Sequence, residues 1–134
     1  MTDTRDTALR FMQALWAGDL DTTDAMFTHD AQWHFQRGMP QAELGLGLVW
    51  PARQALRRIV DDLFGKFDPD GFVVSVVRTI ADGESVAIEY RAEGRTARGE
   101  EYRNAYVTVL TVRDGHIAEI HPYNDTAHML RMLR

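Results

Sequence analysis

The most constraining feature of this chain is a change of period. From residue 72 onward apolar and polar residues alternate with a repeat of two. Two turn dipeptides, Asp82-Gly83 and Asp114-Gly115, cut that run into hairpin-linked strands. The first strand is expected over 72–81 and opens with Phe72-Val73-Val74-Ser75-Val76-Val77. In the next, Val86, Ile88, Tyr90 and Ala92 alternate with Ala87, Glu89 and Arg91. A polar link from Glu93 to Glu100 precedes a strand over 101–113, and a last strand is expected over 116–123. Strands joined by such short turns must pair antiparallel, because a parallel pair needs a crossover of a dozen residues or more.

The first half of the chain has a different period. Ala8, Phe11, Met12, Leu15 and Trp16 fall at helical spacing, which predicts a helix over 4–17 ended by Gly18. Thr22 and Thr23 precede a short second helix that carries Met26 and Phe27. Aromatic and polar residues alternate through Ala31-Gln32-Trp33-His34-Phe35-Gln36, which predicts a strand. Residues 37–50, rich in glycine, read as a long loop. Pro51 suits the first turn of a third helix, which is expected to reach Phe64 and to bury Leu56, Ile59, Val60, Leu63 and Phe64. A final helix starts at Asp125 and carries Met129, Leu130, Met132 and Leu133. The order is helices, a strand, a helix and then consecutive strands, which is the α+β arrangement with helices on one face of an antiparallel sheet.

At 134 residues the chain is expected to form a single domain, 1–134, with a core large enough to need no disulfide or metal staple. It has no cysteine, which excludes disulfides, thiolate metal sites and cysteine nucleophiles. A net charge of −5 makes it a poor nucleic-acid binder. Lys66 is its only lysine and sits in a polar turn, so Schiff-base chemistry has no convincing candidate. The start, Met1-Thr2-Asp3-Thr4-Arg5-Asp6, lacks the pattern of a signal peptide, and no run is long and apolar enough to cross a membrane. The expectation is a cytoplasmic protein with neither membrane nor nucleic-acid partner.

Five stretches resemble a known superfamily. Arg10-Phe11-Met12-Gln13-Ala14-Leu15-Trp16-Ala17-Gly18-Asp19-Leu20-Asp21 resembles the opening of nuclear transport factor 2-like proteins, and Phe27-Thr28-His29-Asp30-Ala31-Gln32-Trp33 resembles the segment that follows their second helix. Tyr102 to Val107, Val112 to Ile117 and Tyr123-Asn124-Asp125-Thr126 look like the SnoaL-like, ketosteroid isomerase-related branch. The resemblance covers nearly the whole chain in order. It implies a cone-shaped barrel, in which helices pack in the concave face of a strongly curved antiparallel sheet, with a pocket at its mouth. It further implies a homodimer through the outer sheet face, where Glu89, Arg91, Val107, Val109, His121 and Tyr123 are expected. It does not imply one activity, since the fold hosts isomerases, polyketide cyclases, epoxide hydrolases and non-catalytic binders.

The ketosteroid isomerase mechanism needs an Asp base and an oxyanion hole of Tyr and protonated Asp. By resemblance those positions fall on Phe35, Phe11 and Thr108, none of which is an acid or a base at neutral pH. The final-strand acid of the epoxide hydrolases falls near Pro122, and Arg91 falls on the wrong face of its strand. The remaining catalytic candidates are His34, His121 and Asp125. Alternation places both histidines opposite the pocket, and Asp125 precedes an apolar helical pattern as an N-cap would. No pair of histidines has a third ligand at a recognised spacing, so neither a metal nor another cofactor is expected. Gly45-Leu46-Gly47 lacks the third glycine of a dinucleotide loop.

The expected pocket set is Phe11, Trp33, Phe35, Trp50, Phe64, Tyr90, Asn104, Tyr106, Thr108 and Asn124. It is aromatic, has a few neutral hydrogen-bonding groups, and contains no carboxylate, lysine or inward arginine. A set of that kind suits a small apolar ligand. The expected function is a SnoaL-like small-molecule-binding protein. The alternative is an isomerase, polyketide cyclase or epoxide hydrolase of the same superfamily acting on a neutral polycyclic or terpenoid substrate.

Overall fold

The computed structural model describes residues 3–36, 48–62, 64–68 and 72–132. Helix α1 spans Thr4–Trp16, with the Asp3 carboxylate accepting from the Arg5 N–H at its start. Gly18, at φ 74°, follows it in the left-handed region that glycine enters without strain. Helix α2 (Leu20–Ala25) is capped by Asp19, whose carboxylate accepts from both the N–H and the hydroxyl of Thr22. Those bonds lower the Asp19 pKa. Thr22 and Thr23 therefore lie inside this helix instead of before it, and Phe27 belongs to the next strand.

Strand β1 runs Phe27–His34, β2 is the short Val49–Pro51, and helix α3 is Ala52–Asp62. Pro51 ends a strand here instead of opening the helix, and part of the expected loop over 37–50 is strand. A single 3-10 turn, Phe64–Lys66, contains Phe64, so the third helix stops short of it. Leu63, Leu133 and Gly45-Leu46-Gly47 lie outside the described residues. Strands β3 (Val73–Asp82), β4 (Ser85–Arg95), β5 (Glu101–Arg113) and β6 (His116–Asn124) follow, then helix α4 (Thr126–Met132). Between β5 and β6, Asp114 and Gly115 are the two loop residues and both have positive φ, 52° and 74°. Asp-Gly suits this turn because both its positions need that region.

The strands form one curved sheet in the order β2-β1-β6-β5-β4-β3. All neighbours are antiparallel except β1 and β6, which run parallel. The sheet is thus mixed, where a purely antiparallel one was expected. This pair joins the first strand to the last and brings two distant parts of the chain side by side.

The sheet's inner face is built by the two-residue repeat. Val86, Ile88, Tyr90 and Ala92 on β4 are buried, as are Tyr102, Asn104, Thr108 and Leu110 on β5. Phe27, Ala31 and Trp33 on β1 and Ile117 and Ile120 on β6 complete it. Helix α1 lays Ala8, Phe11, Met12 and Leu15 against this face, and α3 adds Ala52, Ala55, Leu56 and Ile59. Arg53 ties α3 to the α2–β1 corner, donating to the Thr28 carbonyl at 3.2 Å and lying 3.4 Å from the Asp24 carboxylate. On α4, Met129 is buried with Tyr102, and Phe67, Phe72 and Met132 pack around them.

Candidate functional site

A cavity of about 310 Å³ lies between the helices and the inner sheet face. Its walls come from α1 (Leu15, Trp16), β1 and the residues after it (Trp33, Phe35, Gln36), α3 (Ile59) and the segment Phe64, Phe67, Asp68, Phe72. The sheet contributes Val74, Tyr90, Ala92, Tyr106, Pro122 and Asn124. Tyr90 and Tyr106 stack with parallel rings 5.0 Å apart, and Trp16 packs on Tyr90 at 4.8 Å. Trp33 and Phe35 stack at 6.3 Å.

Of the ten expected pocket residues, Trp33, Phe35, Phe64, Tyr90, Tyr106 and Asn124 line this cavity. The other four do not. Phe11 is fully buried one layer deeper, against Phe27. Trp50 packs edge-on to Phe35 within the core. Thr108 and Asn104 are buried behind the tyrosines and act through them. The Thr108 hydroxyl bonds the Tyr90 hydroxyl at 3.0 Å. The Asn104 amide donates to the Tyr102 hydroxyl at 2.9 Å and to the Asp125 carbonyl at 3.2 Å.

A hydroxyl relay results. Tyr102 and Tyr106 share a 2.6 Å hydrogen bond, and Asn104 feeds Tyr102 from behind. When Tyr102 donates to Tyr106, the Tyr106 hydroxyl proton is left for a group in the cavity. Burial pushes the Tyr90 pKa up to about 12, against the opposing bonds from Thr108 and Trp16. Burial, and then the neighbouring Tyr102, raise that of Tyr106 still further. Both phenols are therefore donors, not bases, at neutral pH.

Two lining side chains have buried polar atoms without a hydrogen-bond partner among the described residues: the Trp33 Nε1 donor and the Asn124 Oδ1 acceptor. Asn124 directs its amide nitrogen to the Met129 sulfur at 3.3 Å, which leaves its oxygen over. Asp68 also lines the cavity, as an exposed residue, so the wall has a carboxylate where none was expected.

His34, His121 and Asp125 do not line it. Asp125 caps α4, its Oδ1 accepting from the His128 N–H at 3.1 Å. His34 and His121 lie on the outer sheet face, stacked on each other with ring centroids 3.9 Å apart. Glu119 joins them, 3.7 Å from His34 Nε2 and 3.9 Å from His121 Nε2. Burial, then the adjacent His34, lower the His121 pKa, and Glu119 opposes both. Arg91 also lies away from the cavity and pairs with Glu89 at 3.1 Å.

The helices cradled by a curved sheet, with an aromatic cavity between them, define a nuclear transport factor 2-like, cystatin-like α+β protein. The SnoaL-like domain profile matches residues 8–120, and the chain belongs to that family. A nuclear transport factor 2-like protein of unknown function from Burkholderia pseudomallei shares 18% identity and a TM-score of 0.81, covering 99% of this chain and 98% of its own. A loop-truncation variant of IdmH matches at 24% identity and a TM-score of 0.81, over 98% of this chain and all of its own. A putative SnoaL-like polyketide cyclase from Jannaschia sp. matches at 18% identity and a TM-score of 0.79, over 97% and 90%. These likenesses carry the fold. No curated protein matches the chain in sequence. No described helix is long and apolar enough to cross a membrane.

Proposed function

We propose that the chain is a SnoaL-like small-molecule-binding protein whose cavity takes a neutral, apolar, ring-containing molecule. One observation carries the reading: a cavity of about 310 Å³ is walled by Trp16, Trp33, Phe35 and Phe64 and by the stacked rings of Tyr90 and Tyr106. The protonated hydroxyls of Tyr90 and Tyr106 add donors suited to a carbonyl or hydroxyl. A ligand anion would meet no cation among the described lining residues.

Trp16 and Trp33 line the cavity, so their fluorescence reports binding directly. A thermal-shift and fluorescence screen of matched neutral and carboxylate-bearing ring compounds should favour the neutral members. Preference for the anions would overturn the reading.

A second reading is favoured by the relay from Asn104 through Tyr102 to Tyr106: the hydroxyl could polarise a substrate carbonyl in a cyclase-type or isomerase-type reaction. Asp68 is the one carboxylate among the described lining residues and the candidate base in that case. Turnover of a neutral polyketide or a Δ5-steroid that falls in both Tyr106→Phe and Asp68→Asn would replace binding by catalysis. The reading also includes a homodimer through the outer face, with a second copy covering the half-exposed Tyr123 beside Val107 and Val109. A monomer mass by light scattering at micromolar concentration would remove that part alone.

A further inference from the structure

The outer face of the β1–β6 pair has a feature the cavity does not use. His34, Glu119 and His121 offer two imidazole nitrogens and a carboxylate oxygen that all lie within 4.8 Å of one another. Three independent structural facts bring them together. Glu119 and His121 are two apart on β6, so they project from the same face. His34 follows Trp33, which pairs with Ile120, so His34 sits beside His121 across the parallel strands. The Thr111 hydroxyl on β5 donates at 3.2 Å to Glu119 Oε2, the oxygen that faces His121, and so fixes the carboxylate.

We propose that His34, His121 and Glu119 form a binding site for a divalent transition-metal ion of the zinc type. Two imidazoles and one carboxylate are a recognised three-residue set for such an ion. Two ligands at ordinary zinc distances in a tetrahedral site stand about 3.4 Å apart. His34 Nε2 lies 3.7 Å from Glu119 Oε1 and His121 Nε2 lies 3.9 Å from Oε2, so side-chain rotation must draw the three ligand atoms, now within 4.8 Å of one another, onto one ion. The stacked rings must tilt so that both nitrogens converge on the ion, a rotation about a soft terminal torsion. Their surroundings suit ligation. His34 Nε2 is buried and has no hydrogen-bond partner among the described residues. Thr111 supplies the outer hydrogen bond that ligating carboxylates usually have. Imidazole also selects against hard ions such as Mg²⁺ and Ca²⁺, which prefer all-oxygen sites.

The test is calorimetric titration of the metal-free full chain with Zn²⁺, with Mg²⁺ as the comparison ion. One Zn²⁺ should bind per chain, and Mg²⁺ should not bind. His34→Ala and Glu119→Gln should each abolish binding, whereas His29→Ala, at an exposed histidine outside the cluster, should leave it intact. Thr111→Val keeps the shape of the side chain and removes only the supporting bond, so affinity should fall roughly 10-fold. Far-UV circular dichroism on each variant separates lost binding from lost folding. Zinc binding that survives in folded His34→Ala, a stoichiometry of one ion per two chains, or equal binding of Mg²⁺ would overturn the proposal. None of these outcomes depends on what the inner cavity binds.

Discussion

The two faces of strands β1 and β6 carry opposite chemistry within the same few residues. On the inner face, Trp33, Ile120, Pro122 and Asn124 meet the core and the cavity. On the outer face, one residue out of step, His34, Glu119 and His121 form an ionisable cluster. The inner face keeps its polar groups neutral: phenols, an indole and amides, with burial holding the tyrosines protonated. The outer face leaves its groups half-exposed, where water shares the cost of charge. The difference teaches that a strand's period of two divides function as well as burial. A one-residue slip of either strand would exchange the two sets.

The largest expected effect belongs to the inner face. Phe11 is wholly buried and packs on Phe27 at 5.3 Å. Phe11→Ala should cost about 3–5 kcal/mol in chemical denaturation, the usual range for a buried Phe that leaves a cavity. A cost under about 1 kcal/mol would mean the layer behind the cavity is not the close-packed core described here.

Next in size is the cap at the end of the sheet. Asp125→Ala should cost about 0.5–2 kcal/mol, and Asp125→Asn little, because either side chain can accept the His128 N–H. Ligand affinity should not move in Asp125→Asn, since Asp125 lies off the cavity wall. A large loss of affinity at unchanged stability would place its carboxylate in the site.

A comparable effect is expected inside the wall. Thr108→Val removes one partner of the buried Tyr90 hydroxyl and should cost about 1 kcal/mol. Tyr90 also sets a pH dependence. Its pKa rises from 10.0 to about 12 on folding, so the neutral form is the one the fold favours. That contribution is complete below pH 10 and is lost as pH rises through 12. Wild-type stability should fall across this window, and Tyr90→Phe should fall less. Parallel curves for the two proteins would remove Tyr90 as the source.

Much of this architecture was legible in sequence because strand alternation is local. Val86, Ile88, Tyr90 and Ala92 declare one face by themselves, and Asp114-Gly115 declares its turn. The cavity wall was legible only in part. Trp33, Tyr90, Tyr106 and Asn124 could be read from strand phase, but Trp16, Phe67, Asp68 and Phe72 reach the wall from helix ends and connections that have no period. Phe11 and Trp50 have the right residue type and lie in the wrong layer, and phase along one element does not report depth. The histidine cluster was hidden for another reason. Glu119 stands 85 positions after His34 in the chain (119 − 34), and only the parallel β1–β6 pair makes them neighbours. Sequence spacing could offer no third ligand, so no metal was expected.

The smallest expected stability effect is on the outer face, and it sharpens the comparison most. Glu119 is half-exposed and lies 3.7 and 3.9 Å from its two histidines, too far for strong hydrogen bonds. Exposed pairs of this kind contribute about 0–1 kcal/mol, and solvent screening puts this one at the low end. Glutamine keeps an oxygen for the Thr111 hydroxyl, so that bond survives the change. Glu119→Gln should therefore shift the denaturation midpoint by an amount near the error of the measurement. In the same variant zinc binding should disappear while ligand binding in the cavity is untouched. A variant that loses several kcal/mol instead would show the cluster holding the β1–β6 seam together, and the outer face would then be structure in the same sense as the inner one.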